Sequence, residues 1–173
     1  MKNIIFNIII FSVLYNLLFV YNAKADSRLE YCEPYREQII AILESEGLPS
    51  EYFYLAVCES RCKIDVVSHA GAVGLFQVTK PTYLHYKPSN CSKDDIDDLE
   101  CNTRAAARYI KHLQHRFKDM KTLVKAYNRG GTNLIRKGST READGLSYCV
   151  MSYVKKYSTN KNKKKLKLNR IFV

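Results

Sequence analysis

Residues 52–82, YFYLAVCESRCKIDVVSHAGAVGLFQVTKPT, decide how this chain is built. Phe53 to Cys58 are apolar around every side of a helix, which marks a buried helix rather than a surface one. An acid, Glu59, ends that run, so its carboxyl falls at the inner end of a buried element. Desolvation there disfavours the carboxylate and raises its pKa, as a general acid working near neutral pH requires. By itself, an acid in this place is also what a capped or ion-paired structural group looks like. Ser60 and Ser68 follow, and then Gly71-Ala72-Val73-Gly74-Leu75-Phe76-Gln77, a turn whose glycines allow close backbone approach. Pro81 closes the segment.

Working outward, residues 33–47 predict a helix with Tyr35, Ile39, Ile42 and Leu43 on one face, stopped by Gly47-Leu48-Pro49. Ser50 is placed to cap the helix that ends at Glu59. Beyond Pro81 a short helix is expected over residues 80–85, then an acidic surface loop over 87–101. From Asn102 to Phe117 the apolar residues Ala106, Ile110, Leu113 and Phe117 predict an amphipathic helix. Asp119 is placed to cap the next one, which turns Leu123, Val124 and Tyr127 inward and ends at Gly130-Gly131. Residues 132–145 read as loop, 146–157 as a last helix, and 158–173 as a disordered basic tail. Strands are scarce, so the fold class is mainly α.

The order of three motifs carries a resemblance. Glu59-Ser60, Ser68 and Gly71-Ala72-x-Gly74-Leu75-x-Gln77 come first, then Thr103-Arg104-Ala105-Ala106-Ala107-Arg108-Tyr109, then Ala126-Tyr127-Asn128-x-Gly130. Together, over roughly residues 48–135, they resemble the lysozyme-like lytic transglycosylases (the SLT domain), nearest to the catalytic domain of membrane-bound lytic murein transglycosylase D. The resemblance implies a helical, goose-type-lysozyme-like domain with a catalytic cleft and no cofactor or metal. It implies that Glu59 first protonates the glycosidic oxygen between N-acetylmuramic acid and N-acetylglucosamine, then takes the proton of the muramyl C6 hydroxyl to close a 1,6-anhydro ring. Ser68 would polarise the substrate near the leaving group, and Gln77 would offer its amide to acetamido groups. The Tyr127 hydroxyl would approach Glu59, Asn128 and Gly130 would shape the turn beside the cleft, and Phe76 would form apolar wall under a sugar or simply core. This chain departs from the family pattern in having Lys63-Ile64 for Asn-Pro, Thr79 for Met, and Gly131-Thr132 after Ala-Tyr-Asn. The late Glu-Thr-x-x-Tyr-Val motif survives only faintly, at Tyr148 or at Tyr153-Val154.

Composition narrows the rival readings. At 173 residues and 46% apolar content the chain suits one globular domain. Its net charge of +11 suggests a nucleic-acid partner until it is located. Residues 155–173 hold eight Lys and Arg and no acid; setting those aside with Lys2 and Lys24 leaves 18 basic side chains against 17 acidic. The globular part is near neutral, so a nucleic-acid face is not expected, and the tail would serve as a weak tether to anionic envelope surfaces. The chain is expected to be a monomer whose partner is the peptidoglycan glycan strand.

Residues 1–25 read as a signal peptide. Lys2 precedes an apolar run from Ile4 to Tyr21, and Ala23-Lys24-Ala25 forms a cleavage site that makes Asp26 the first mature residue. The alternative is an uncleaved anchor. Asp26 rather than Cys argues against a lipid anchor, so the expected location is periplasmic or secreted, with a catalytic domain over 26–157. The six cysteines then read as disulfides in an oxidising compartment. Many pairings are possible; one set joins Cys91 to Cys101 across the acidic loop, Cys58 to Cys62, and Cys32 to Cys149.

Ordinary glycosidases need two carboxylates. A hydrolytic muramidase on the same fold would therefore need a second acid, with Asp65 or the 94–100 loop as the supply. A third reading is a catalytically inert wall-binding or secretion-associated protein that keeps the cleft.

Overall fold

The structure, a computed structural model, describes residues 26–169, with side chains described to Tyr157. The expected leader, residues 1–25, lies outside the described residues. A short helix α1 (Ser27–Cys32) begins at Asp26, whose side chain caps it by accepting from Arg28 N at 3.2 Å. A 3-10 turn over Glu33–Tyr35 leads into α2 (Arg36–Ser45), which buries Ile39, Ile42 and Leu43 on the face expected of them. Next comes a 3-10 turn at Ser50–Tyr52, so α3 (Phe53–Glu59) starts later than Ser50 and no side-chain cap is made there. Pro49 forces this: its extended backbone leaves Ser50 inside the tight first turn instead of ahead of it.

Helix α3 is the buried element its composition demands, with Phe53 to Val57 all buried. After it the chain makes an antiparallel hairpin of β1 (Ala72–Val73) and β2 (Val78–Thr79), which pairs Ala72 with Thr79 and Val73 with Val78. Helix α4 (Lys80–Tyr86) follows with Pro81 in its first turn, and a 3-10 turn at Asp95–Asp97 crosses the acidic loop. Helix α5 (Leu99–Gln114) is capped by Asp98 and buries Ala105, Ala106, Ala107, Ile110 and Leu113. Helix α6 (Met120–Arg129) is capped by Asp119, as the sequence predicts, through a 2.8 Å bond from Thr122 N.

Residues 132–145 are not the loop expected of them. Gly130, at φ 82°, ends α6 and starts α7 (Gly131–Lys137) at once. Gly131 suits a tight spot: a Cβ there would lie 3.1 Å from the Phe117 ring and 3.2 Å from Leu113, so those side chains would have to give by a few tenths of an ångström. Helix α8 (Arg141–Asn169) begins five residues before the expected Leu146 and packs along α6 and α3. Its backbone is continuous through Asn169, so the segment expected as a disordered tail is helical to that point. That segment holds no Gly or Pro, and Lys and Leu are good helix formers.

Three disulfides staple this core. Cys91–Cys101 closes the acidic loop as expected. The other two pair differently from the expectation: Cys32 joins Cys62, with Cα atoms 5.1 Å apart, and Cys58 joins Cys149, at 6.1 Å. The reason is the turn after α3. Arg61 and Cys62 both take left-handed backbone, φ 58° and 55°, and Cys62 N reaches back to Ala56 O at 3.3 Å. That reversal carries Cys62 toward α1 and leaves Cys58 to face α8.

Candidate active site

Glu59 is the last residue of α3, and a disulfide lies on each side of it in sequence, at Cys58 and Cys62. It opens into a cavity of about 530 Å³ whose lining includes Ser68, Gln77, Tyr109, Tyr127, Asn128 and Arg129. Five of the six residues singled out in the sequence thus meet in one place. Burial of the carboxyl pushes its pKa up to about 8, and no cation or hydrogen-bond donor among the described residues stabilises the anion. The group is therefore protonated at neutral pH and is poised to donate.

Phe76 is the exception. Its ring is fully buried and faces the core, so it is not wall under a sugar. Its backbone matters instead. Phe76 N donates to Asn102 Oδ1 at 3.0 Å, and Phe76 O accepts from the Tyr127 hydroxyl at 2.8 Å. Tyr127 therefore uses its proton on the hairpin and not on Glu59. Burial, and secondarily the nearby Glu59 and Tyr109, raise the Tyr127 phenol well above its usual range, so it stays a neutral donor.

The hairpin is built to hold an awkward shape. Gln77 has φ 49°, uncommon for a residue with a side chain. Its own amide compensates, donating from Nε2 to Gly74 O at 2.9 Å and to Val66 O at 3.2 Å. Both partners are carbonyl oxygens, so the nitrogen must face them. Its N–H groups therefore brace the turn, and the carbonyl oxygen is the part of the amide left for the cleft. Ser68 keeps its proton. Its Oγ accepts from Ala72 N at 3.0 Å, within a tight turn closed by Gly71 N on Ser68 O at 2.9 Å, so the O–H is left to donate. Ser60 donates to Leu75 O at 2.8 Å and ties the end of α3 to the hairpin.

Sequence reasoning missed the clamp beneath this hairpin. Asn102, fully buried in the first turn of α5, donates from Nδ2 to Val73 O at 3.0 Å and Ile96 O at 2.6 Å while accepting from Phe76 N. Gly74 accommodates it: at φ 78°, a Cβ would lie 2.6 Å from Asn102 Nδ2. The only hint in the sequence was a polar residue one position before the Thr103–Tyr109 motif. That motif's arginines are structural. Arg104 and Arg108 both bond the half-buried Glu46, at 3.1 and 3.3 Å, joining α5 to the end of α2. Tyr109, Arg129 and Glu142 also line the cavity, while Asp65 and the 94–100 loop do not.

A mainly helical domain with one desolvated glutamate facing a hairpin-walled cleft is a lysozyme-like architecture. The match to the transglycosylase SLT domain covers residues 38–148, well over half of the chain, and the protein belongs to that family. The fold is similar to that of the lytic transglycosylase Slt of Pseudomonas aeruginosa, solved by X-ray as an inactive mutant. The TM-score is 0.66 at 20% identity, covering 81% of this chain and 26% of that one. A curated Alteromonas sp. (strain M-1) protein named for tributyltin chloride resistance is 30% identical over 109 residues, 60% of this chain. The chain spans about half the length of that relative, 51%. These matches place it in the family as a whole and not in one branch.

Proposed function

We propose that the protein is an exported peptidoglycan lytic transglycosylase that cleaves the bond between N-acetylmuramic acid and N-acetylglucosamine and leaves 1,6-anhydro ends. The observation that carries this reading is the unpaired Glu59 carboxyl, raised to about 8 by burial and opening into the cleft. Glu59 gives its proton to the glycosidic oxygen as the C1–O bond breaks, and the leaving sugar departs as an alcohol. The muramyl 2-acetamido group stabilises the cation, the substrate-assisted route that needs no second carboxylate. Glu59, now an anion, takes the proton of the C6 hydroxyl as O6 bonds C1. The carboxyl returns protonated and no water is consumed. Ser68 donates to the substrate beside the leaving group, and the Gln77 carbonyl and Asn128 contact acetamido groups.

Hydrolysis remains the second reading because one observation favours it: Glu142, at the start of α8, is a second carboxylate lining the same cavity. Three disulfides suit an oxidising compartment, and the basic segment after Tyr157 would tether the enzyme to anionic envelope surfaces, an attraction that salt screens. Mass spectrometry of muropeptides after digestion of sacculi decides the chemistry. Anhydro ends are expected; reducing ends would make the enzyme a muramidase, and no cleavage would leave an inert wall-binding protein.

A further inference from the structure

Arg129 stands between the Tyr127-Asn128 pair and Gly130, at the end of α6, and lines the same cavity as Glu59. It is half-buried, and its Nε is sealed from solvent with no hydrogen-bond partner among the described residues. A buried N–H without a partner is unfavourable, and a guanidinium is charged at any working pH. Glu142 lines the cavity too, and none of the ion pairs among the described residues joins it to Arg129. Glu59 is neutral near pH 7, so the charges that meet an incoming anion in this cavity are those of Arg129 and Glu142.

We propose that Arg129 is a specificity residue that binds a carboxylate carried by the muramic acid unit. This rests on the glycan-cleaving reading above. Glucosamine-type sugars are neutral once acetylated; muramic acid differs by its lactyl ether, which ends in a carboxylate. In peptide-free strands that carboxylate is free. In peptide-bearing strands it is an amide, and the nearest carboxylate belongs to the peptide. The planar fork of arginine matches either group in a bidentate pair.

Binding measured in full-length protein carrying Glu59→Gln, which stops turnover, separates the sources. The ligands are peptide-free glycan oligomers, the same oligomers with their carboxylates converted to methyl amides, peptide-bearing strands, and chitooligosaccharides of equal length. Amidation of the peptide-free oligomers is expected to weaken binding roughly ten- to hundredfold, as for a lost hydrogen bond to a charged group. Adding Arg129→Gln should impose a similar loss on carboxylate ligands and leave the chitooligosaccharides unchanged. Dependence on Arg129 confined to peptide-bearing strands assigns the carboxylate to the peptide. Equal affinity for the acid and amide forms of the peptide-free oligomers, with no effect of Arg129→Gln on peptide-bearing strands, overturns the proposal. So does a similar loss on chitooligosaccharides, which would make Arg129 a shape-holding residue. Failure of the lytic reading would appear separately, as missing anhydro ends from the wild type.

Discussion

Glu59 and the Ser68–Thr79 hairpin face one another across the same cavity, yet they are held by different chemistry. The end of α3 is fixed covalently, through Cys58 to α8 and through Cys62 to α1. The hairpin has no covalent anchor among the described residues. Side chains reaching its backbone hold it: Ser60 at Leu75 O, Tyr127 at Phe76 O, Asn102 at Phe76 N and Val73 O, and Gln77 on its own turn. An acid whose pKa depends on burial must not drift toward water, and disulfides limit such drift. A wall that is to receive sugars, as proposed above, must instead present polar groups at set angles, which a hydrogen-bond network can do while leaving spare donors and acceptors.

The largest effect expected from breaking this pairing is on the acid itself. Glu59→Gln keeps the shape and removes the proton cycle, so turnover of sacculi should fall on the order of 10³–10⁴-fold or more. The wild-type rate should decline as pH rises through about 8, where Glu59 loses its proton. The sign for stability follows from the same shift. The folded carboxyl binds its proton more tightly than the unfolded one, so stability falls as pH rises from about 4.5 toward about 8. In Glu59→Gln that slope should flatten in pH-dependent denaturant titrations. An active Glu59→Gln enzyme would remove the mechanism.

Next in size is the covalent anchor. Replacing Cys58 and Cys149 together with Ala opens a crosslink between residues 91 apart, and should cost about 2–5 kcal/mol in chemical denaturation. It should also lower the rate at temperatures where the protein is still folded, because the residue beside Glu59 is released. A rate unchanged under those conditions would mean that burial alone positions the acid.

The hairpin should break by a smaller and more local route. Asn102→Ala removes the bonds that its side chain makes to Phe76 N, Val73 O and Ile96 O, at a cost of about 2–4 kcal/mol. Gly74→Ala alone drives a Cβ into Asn102 and strains the φ of 78°. If the close contact is the main fault, the double variant should cost clearly less than the sum of the two; strict additivity would mean that Gly74 is needed for its backbone only.

Tyr127→Phe gives the smallest change. It removes one buried bond, to Phe76 O, and should cost about 1–2 kcal/mol. The alkaline limb of the pH–rate profile should stay in place, because the hydroxyl serves the hairpin. A shift of that limb would show instead that Tyr127 acts on Glu59 directly.

Local pattern alone determined the apolar helix ending in an acid, the amphipathic face of α5, the Asp119 cap and the mainly helical class, because each depends on residues a few positions apart. The ordered motifs also placed Glu59, Ser68, Gln77, Tyr127 and Asn128 together. Tertiary structure decided what spacing cannot encode. The pairing of Cys32 with Cys62 and of Cys58 with Cys149 follows from a left-handed turn at Arg61 and Cys62, where no glycine announces it. Phe76 is core, and Gln77 a brace, because the strained hairpin needs both faces of its backbone satisfied. Asn102 and Arg129 carry their meaning only in the fold: Asn102 bonds hairpin backbone 26 and 29 residues away as well as the nearer Ile96 O, and the Arg129 Nε is buried without a partner among the described residues. A side chain's periodicity tells which way it points, but its partners come from distant segments, and only packing brings those within bonding distance.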